Sequence, residues 1–100
     1  KAVFAEQAAA LPVSATKSMH GHLLGAAGAI EAVTTVLALR EQAIPPTAHL
    51  RGRLDPACEG VDHVLEGRRG VRLKAAISNS FAFGGSNAVL AFRAVPEHVL

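Results

Sequence analysis

The chain has 100 residues and a formal net charge of +2; half of its residues are hydrophobic and four are aromatic. This length supports at most one small domain, which buries a limited share of its surface. The small, scattered positive charge does not indicate a nucleic-acid partner, and a single cysteine excludes an intrachain disulfide. The apolar residues are mostly Ala, Val, Leu and Ile, a composition typical of a densely packed α/β interior.

The first ten residues, KAVFAEQAAA, predict a short helix and lack the contiguous apolar core of a signal peptide. Leu11 and Pro12 end this helix, and residues 13–16 predict a short buried strand. The chain begins without Met and has an excess of apolar residues. We therefore expect residues 1–100 to be a single segment of a longer, cytoplasmic polypeptide.

Residues 21–40 are apolar on nearly every face of a predicted helix. A membrane span needs roughly 20 apolar residues, but Glu31 lies near the centre of this stretch, together with two threonines and two glycines. The pattern favours a buried, central helix of a soluble protein and no membrane partner.

Residues 47–72 are rich in Arg, Gly, Asp and Pro, and they predict a surface excursion with a short edge strand at residues 63–65. No aromatic residues lie between the arginines, so we expect a solvated surface rather than a nucleic-acid site. These arginines are Arg51, Arg53, Arg68, Arg69 and Arg72.

Residues 71–78 and 88–95 predict two strands. They are joined by residues 79–87, NSFAFGGSN, whose two adjacent glycines give the backbone freedom and allow a positive φ. A strand, a glycine loop and a strand predict an antiparallel pair. An ordinary hairpin turn and a phosphate-binding loop are the competing interpretations, although the loop lacks a Walker or dinucleotide pattern.

Residues 14–28, SATKSMHGHLLGAAG, place Lys17, His20 and His22 at the start of the apolar helix. A buried Lys or His is costly unless it has a partner or a task. The free N–H groups and the dipole of a helix start favour a neutral His22 imidazole. An exposed Lys17 and a structural His22 remain alternatives. His20 and His22 without a nearby third ligand do not indicate zinc.

These two segments resemble the lysine–histidine motif and the phenylalanine–glycine loop of the β-ketoacyl-acyl-carrier-protein synthases, the decarboxylating condensing enzymes of fatty-acid and polyketide synthesis. The resemblance covers about residues 1–94. It implies a thiolase-like α/β/α/β/α layered fold, of which this chain forms part of the C-terminal half, with a buried central helix and mixed-sheet strands. It also implies an acyltransferase that works as a homodimer with acyl carrier protein, without a cofactor or metal.

The resemblance assigns catalytic roles to three residues. His22 binds the malonyl thioester carbonyl and stabilises the enolate formed on decarboxylation, Phe83 gates the acyl pocket and lends its N–H to an oxyanion hole, and Lys17 supports the histidine. Five further residues form the supporting set: Glu31 as partner of Lys17, Asn79 and Ser80 as braces of the loop, and Gly84 and Gly85 as its flexible point.

Two residues depart from the family pattern: His20 replaces a small hydroxyl residue, and Ala82 replaces glycine. The nucleophilic cysteine of the family lies far upstream, and Cys58 lacks an adjacent histidine or helix start. We therefore expect the chain alone to be inactive. A non-condensing relative of chain-length-factor type and a small autonomous anion-binding module are the two alternative functions.

Overall fold

The computed structural model describes residues 1–51 and 54–95. In these ranges the chain forms helices and small two-stranded sheets, which confirms the α/β class. The helices are α1 (Lys17–His20) and α2 (Ala27–Glu41), and the strands are β1 (Pro12–Val13), β2 (Ala43–Ile44), β3 (Asp62–His63), β4 (Arg68–Arg69), β5 (Ala75–Phe81) and β6 (Asn87–Arg93). Three short 3₁₀ segments cover Ala5–Ala10, Leu24–Ala26 and Pro56–Cys58. No helix among the described residues is long and apolar enough to cross a membrane.

The chain divides into two compact units. Unit 1 contains Lys1–Gly21 and Ile44–Arg68, and unit 2 contains His22–Ala43 and the chain from Arg69 onward. The three boundaries between the units therefore fall between Gly21 and His22, within β2 and within β4.

In unit 1, β1 pairs with β3 in parallel, with Val13 opposite His63. Beyond the strands, Val64 N–H donates to the Val13 carbonyl over 3.0 Å, and the Val64 carbonyl accepts from Thr47 N–H over 2.7 Å. Val64 is fully buried and forms the centre of this unit. β3 overlaps the predicted edge strand at residues 63–65 only at His63, because it begins one residue earlier and ends two residues earlier.

The buried strand predicted for residues 13–16 ends at Val13, and both residues of β1 are exposed. The next residues bond to side chains and to a proline carbonyl: Ser14 Oγ donates to the Pro45 carbonyl over 2.6 Å, and Ala15 N–H donates to Thr47 Oγ1 over 2.9 Å. Residues 14–15 therefore contact residues 45–47 through side-chain hydrogen bonds and not through a strand ladder.

Among the arginines that were predicted to be solvated, Arg68 is only partly exposed. Arg68 makes a two-pronged contact with Asp62, from Nη1 to Oδ2 over 2.7 Å and from Nη2 to Oδ1 over 2.6 Å. These hydrogen bonds lower the pKa of the Asp62 carboxyl below its ordinary value of 3.8 and raise that of Arg68. The arginine is half-buried and links β3 to the start of β4. Arg53 lies outside the described residues.

In unit 2, β5 and β6 form the expected antiparallel hairpin, with Ala75 opposite Arg93 and Phe81 opposite Asn87. The strands extend into the predicted loop from both sides, so the connection is shorter than residues 79–87. Asn79 is therefore a strand residue.

Helix α2 packs against the hairpin, but it begins later than the predicted residue 21. Leu24 has a left-handed φ of +50°, which interrupts a right-handed helix, and a 3₁₀ segment then leads from Leu24 into α2. Within α2, Ala27 and Leu39 are buried. The expected buried helix is thus covered on one side only: within the described chain its other side exposes a set of apolar residues, Val33, Val36 and Leu37.

Candidate active site

His22 lies just before the 3₁₀ turn that leads into α2. Its Nδ1 accepts a hydrogen bond from Leu24 N–H over 3.3 Å, so it takes up one of the amides left without a partner at a helix start. An accepting Nδ1 carries no proton, and the neutral ring then carries its proton on Nε2. The exposed His22 thus presents an N–H donor, the tautomer that can polarise a carbonyl group.

The left-handed backbone of Leu24 aims its amide at His22. A φ of +50° is unfavourable for a residue with a Cβ and is typically retained at functional sites. Leu24 is also largely exposed, so burial of its side chain does not explain this conformation. The sequence does not predict this backbone conformation, because leucine is not a residue type that favours a positive φ.

Two contacts orient α2 against β5. At the start of the helix, a methyl group placed on Gly28 would lie 3.9 Å from Oγ of Ser80, which is near the end of β5. At the other end, Gln42 follows the helix and bonds to both backbone groups of Leu73, before β5 begins. Helix α2 and strand β5 therefore run in opposite directions.

Gln42 is a residue that the sequence analysis did not identify. Its Oε1 accepts from Leu73 N–H over 2.9 Å, and its Nε2 donates to the Leu73 carbonyl over 3.0 Å and to the Leu39 carbonyl over 2.6 Å. It caps the end of α2 with a left-handed φ of +50° and holds Leu73, two residues before β5, at this end of the helix. The sequence does not predict this capping role, because glutamine is not a typical residue at the C-terminal end of a helix.

Because α2 and β5 are antiparallel, the hairpin turn after β5 lies at the same end of unit 2 as His22. Ala82 N–H donates to the Ser86 carbonyl and Gly85 N–H donates to the Ala82 carbonyl, each over 2.9 Å. Gly85 has a φ of +86°, the left-handed residue of a three-residue turn with a bulge. Phe83 stands at the tip, fully exposed, and within the described residues its amide makes no hydrogen bond.

Two supporting residues of the hairpin, Asn79 and Ser80, lie in β5 and not in the loop itself. Their expected role as braces of the loop stays a prediction. Ser80 lies on the side that faces Gly28. Gly85 alone uses the conformational freedom expected of the two glycines, because Gly84 has no positive φ.

Lys17 and His20 belong to unit 1, as the first and last residues of α1. His20 Nε2 lies 3.0 Å from Thr16 Oγ1, and its Nδ1 lies 2.8 Å from the Gly21 carbonyl. Lys17 is exposed, whereas Glu31 is half-buried in α2. The contact expected between Lys17 and Glu31 stays a prediction. Cys58 is an exposed thiol at the end of a 3₁₀ segment.

The described ranges contain no group of three or more His, Cys, Asp or Glu side chains that could hold a metal ion. Both ring nitrogens of His20 lie within hydrogen-bond distance of protein atoms, Nε2 of the Thr16 hydroxyl and Nδ1 of the Gly21 carbonyl.

Residues 1–51 match the family described as Beta-ketoacyl synthase, C-terminal domain. The chain belongs to this family, and the lysine–histidine segment lies inside the matched region. Residues 79–87 lie beyond the matched region, so their assignment to the phenylalanine–glycine loop depends on the resemblance of the motif and on the relatives.

Among its relatives, the chain is 51% identical over 83 residues to the 3-oxoacyl-[acyl-carrier-protein] synthase 2 of Synechocystis sp., a match that covers 83% of this chain and 20% of that protein. It is 51% identical over 87 residues to the enzyme of that name from Vibrio harveyi, covering 85% of this chain and 20% of the relative. It is 50% identical over 95 residues to nodulation protein E of Rhizobium leguminosarum bv. trifolii, covering 95% of this chain and 23% of the relative. The chain thus spans about a fifth of the length of the curated relatives it matches.

Proposed function

We propose that the chain is the C-terminal part of a 3-oxoacyl-[acyl-carrier-protein] synthase, an acyltransferase of fatty-acid or polyketide synthesis. The observation that carries the proposal is the antiparallel packing of α2 on β5, which puts the helix start behind His22 and the Phe83 turn at one end of unit 2. The names of the relatives in Synechocystis and Vibrio harveyi support it.

In the proposed reaction, His22 acts on the malonyl thioester. Its Nε2–H donates to the thioester carbonyl, and as carbon dioxide leaves, the electron pair of the broken bond moves into the enolate, whose negative oxygen this N–H stabilises. The Leu24 amide holds the opposite nitrogen and thereby keeps the proton on Nε2. The histidine acts as a hydrogen-bond donor and needs no net proton transfer in this step.

The enolate carbon then attacks the thioester of an acyl group carried by a cysteine elsewhere in the whole protein. A new carbon–carbon bond forms, the carbonyl oxygen becomes an oxyanion, and collapse of this intermediate releases the cysteine thiolate. The amide of Phe83 is suited to this oxyanion, because it lies at the tip of a tight turn and has no hydrogen-bond partner within the described residues. The phenyl ring at the tip is suited to gate an acyl pocket.

The remaining parts of the proposal concern the whole protein. Lys17 and Glu31 form a charged pair that supports the histidine. The rest of the polypeptide completes the thiolase-like layers, covers the exposed side of α2 and supplies the nucleophile, and two copies form a homodimer. Acyl carrier protein delivers both the acyl and the malonyl group. The 100-residue chain alone is expected to give no ketoacyl product.

The experiment uses the full-length protein with acylated and malonylated carrier protein. We expect an acyl adduct on an upstream cysteine by mass spectrometry, and His22→Ala is expected to lower the rate of malonyl decarboxylation by roughly 100- to 1,000-fold, as the loss of an oxyanion donor does. Formation of the acyl adduct is expected to persist in His22→Ala, which serves as the folding control. Carrier binding without an adduct would instead identify a non-condensing partner of the same fold.

A further inference from the structure

His20 joins two groups of unit 1 through its two ring nitrogens. Nδ1 lies 2.8 Å from the carbonyl oxygen of Gly21, and Nε2 lies 3.0 Å from the hydroxyl of Thr16. A carbonyl oxygen only accepts, so Nδ1 carries the proton and donates it. In the neutral ring Nε2 then accepts from the Thr16 hydroxyl. Thr16 is buried, which makes it a fixed anchor for the ring.

The acceptor of this bond is the carbonyl of the peptide that joins Gly21 to His22. A peptide unit is planar, so the direction of this carbonyl also sets the direction in which the chain enters His22. Gly21 has a φ of +83° and no Cβ to restrict its rotation. A hydrogen bond from a neighbouring side chain therefore supplies the restriction that the glycine itself lacks.

We propose that His20 is a positioning residue for His22. It holds the peptide on the N-terminal side of His22, while the Leu24 amide holds the imidazole from the C-terminal side. This gives a role to a histidine where the family more often has a small hydroxyl residue. The inference deepens the proposed function and rests on it, since a positioned His22 N–H matters for catalysis only if a thioester carbonyl binds there.

Two substitutions separate this role from a merely structural one. His20→Asn places an amide N–H near the position of Nδ1, so it keeps the donor to Gly21 and loses the contact with Thr16. His20→Gln places its amide near the position of Nε2, so it keeps the contact with Thr16 and loses the donor to Gly21. Each variant loses one hydrogen bond, and a purely structural brace would be weakened to a similar extent by both.

The test measures kcat and KM for decarboxylation of malonyl-carrier protein, together with the melting temperature, in the full-length protein. We expect His20→Gln to lower kcat by about 5- to 10-fold, the range set by one net hydrogen bond, with KM unchanged. We expect His20→Asn to stay within about twofold of the wild type, and both variants to melt at similar temperatures. Equal losses of kcat in the two variants, or the larger loss in His20→Asn, would overturn the proposal.

A second readout keeps this inference separate from the proposed function. A wild-type protein that decarboxylates no malonyl-carrier protein overturns the function. The positioning is then measured on the same full-length protein by the ¹⁵N shifts of the His22 imidazole. Shifts that change in His20→Gln and not in His20→Asn support the positioning, and unchanged shifts in both variants contradict it.

Discussion

At the scale of single residues, Gly85 determines the shape of the hairpin turn. Its φ of +86° is in the left-handed region, and its amide closes the turn onto the Ala82 carbonyl. Gly84 sits beside it without a positive φ, and the position of a Cβ on either glycine is free of described atoms within 4 Å. The two glycines therefore differ in backbone conformation and share the same steric freedom, which makes them a matched pair.

We expect Gly85→Ala to destabilise the turn by about 1 kcal/mol, because a Cβ disfavours a left-handed backbone. Hydrogen exchange of the Ala82 amide, which bonds across the turn to Ser86, should become roughly fivefold faster. Gly84→Ala is the control and should leave this rate nearly unchanged. Equal acceleration in both variants would show that the turn does not depend on the φ of Gly85.

The sequence led to a set of candidate site residues, whose roles stay predictions, but it did not predict their contacts. The sequence predicted His22 at the N-terminal end of a helix over residues 21–40, whereas α2 begins at Ala27 and His22 lies before it. The bonds of His20 and Leu24 could not be foreseen, because they depend on a positive φ at Gly21 and at Leu24. Sequence patterns predict secondary structure and burial from periodicity, and a single residue with a positive φ does not change that periodicity.

At the scale of elements, the long segments were predictable and the short ones were not. The hairpin of β5 and β6 was recognised from two apolar runs around a double glycine, although its strands extend further towards the turn than expected. The short strands β1 to β4 have two residues each, too few for any alternation to be visible. Their pairing depends on partners more than 20 residues away, such as β3 for β1.

The contact between β3 and β4 predicts a pH dependence. Hydrogen bonds from Arg68 lower the pKa of Asp62 in the folded chain below its ordinary value of 3.8. A carboxyl group with a lowered folded-state pKa stabilises the fold above the unfolded-state pKa, and this contribution is lost as the pH falls through the lower value. The contribution should therefore be complete at neutral pH and disappear below about pH 4.

Urea unfolding of the dilute chain between pH 2 and pH 6 measures this effect. We expect Asp62→Asn to flatten the fall in the unfolding midpoint below about pH 4, since asparagine has no proton to gain. Arg68→Gln is the companion variant: it removes the cause of the lowered pKa and should flatten the same part of the curve. An unchanged pH dependence in both variants would assign the acid sensitivity to other carboxyl groups.

At the scale of the whole molecule, the described residues bury little. Among the apolar residues, Ala27, Leu39 and Val64 alone are buried, and they are divided between the two units. The helix was correctly expected to be apolar on nearly every face, but a sequence pattern does not say which parts of the polypeptide cover each face. A helix of this kind requires partners on both sides, and the hairpin provides one side.

The uncovered side of α2 predicts how the chain behaves by itself. Val33 and Leu37 lie one turn apart on the exposed side, 53% and 40% exposed, with Val36 between them at 46%. Contiguous apolar surface of this kind drives association in water. We expect the 100-residue chain to self-associate with rising concentration, in analytical ultracentrifugation, and to bind a dye that reports apolar surface.

The double variant Val33→Glu/Leu37→Lys is expected to reduce both signals while keeping the helix, since glutamate four residues before lysine is a favourable helical pair. Leu65→Lys is the matched control, because Leu65 is similarly exposed at 54% but lies in the other unit. In the full-length protein the same double variant should lower the melting temperature, because there the proposed layers bury this side. A chain that stays monomeric and binds no dye, or a full-length protein that tolerates the double variant, would contradict this assignment of the exposed side of α2.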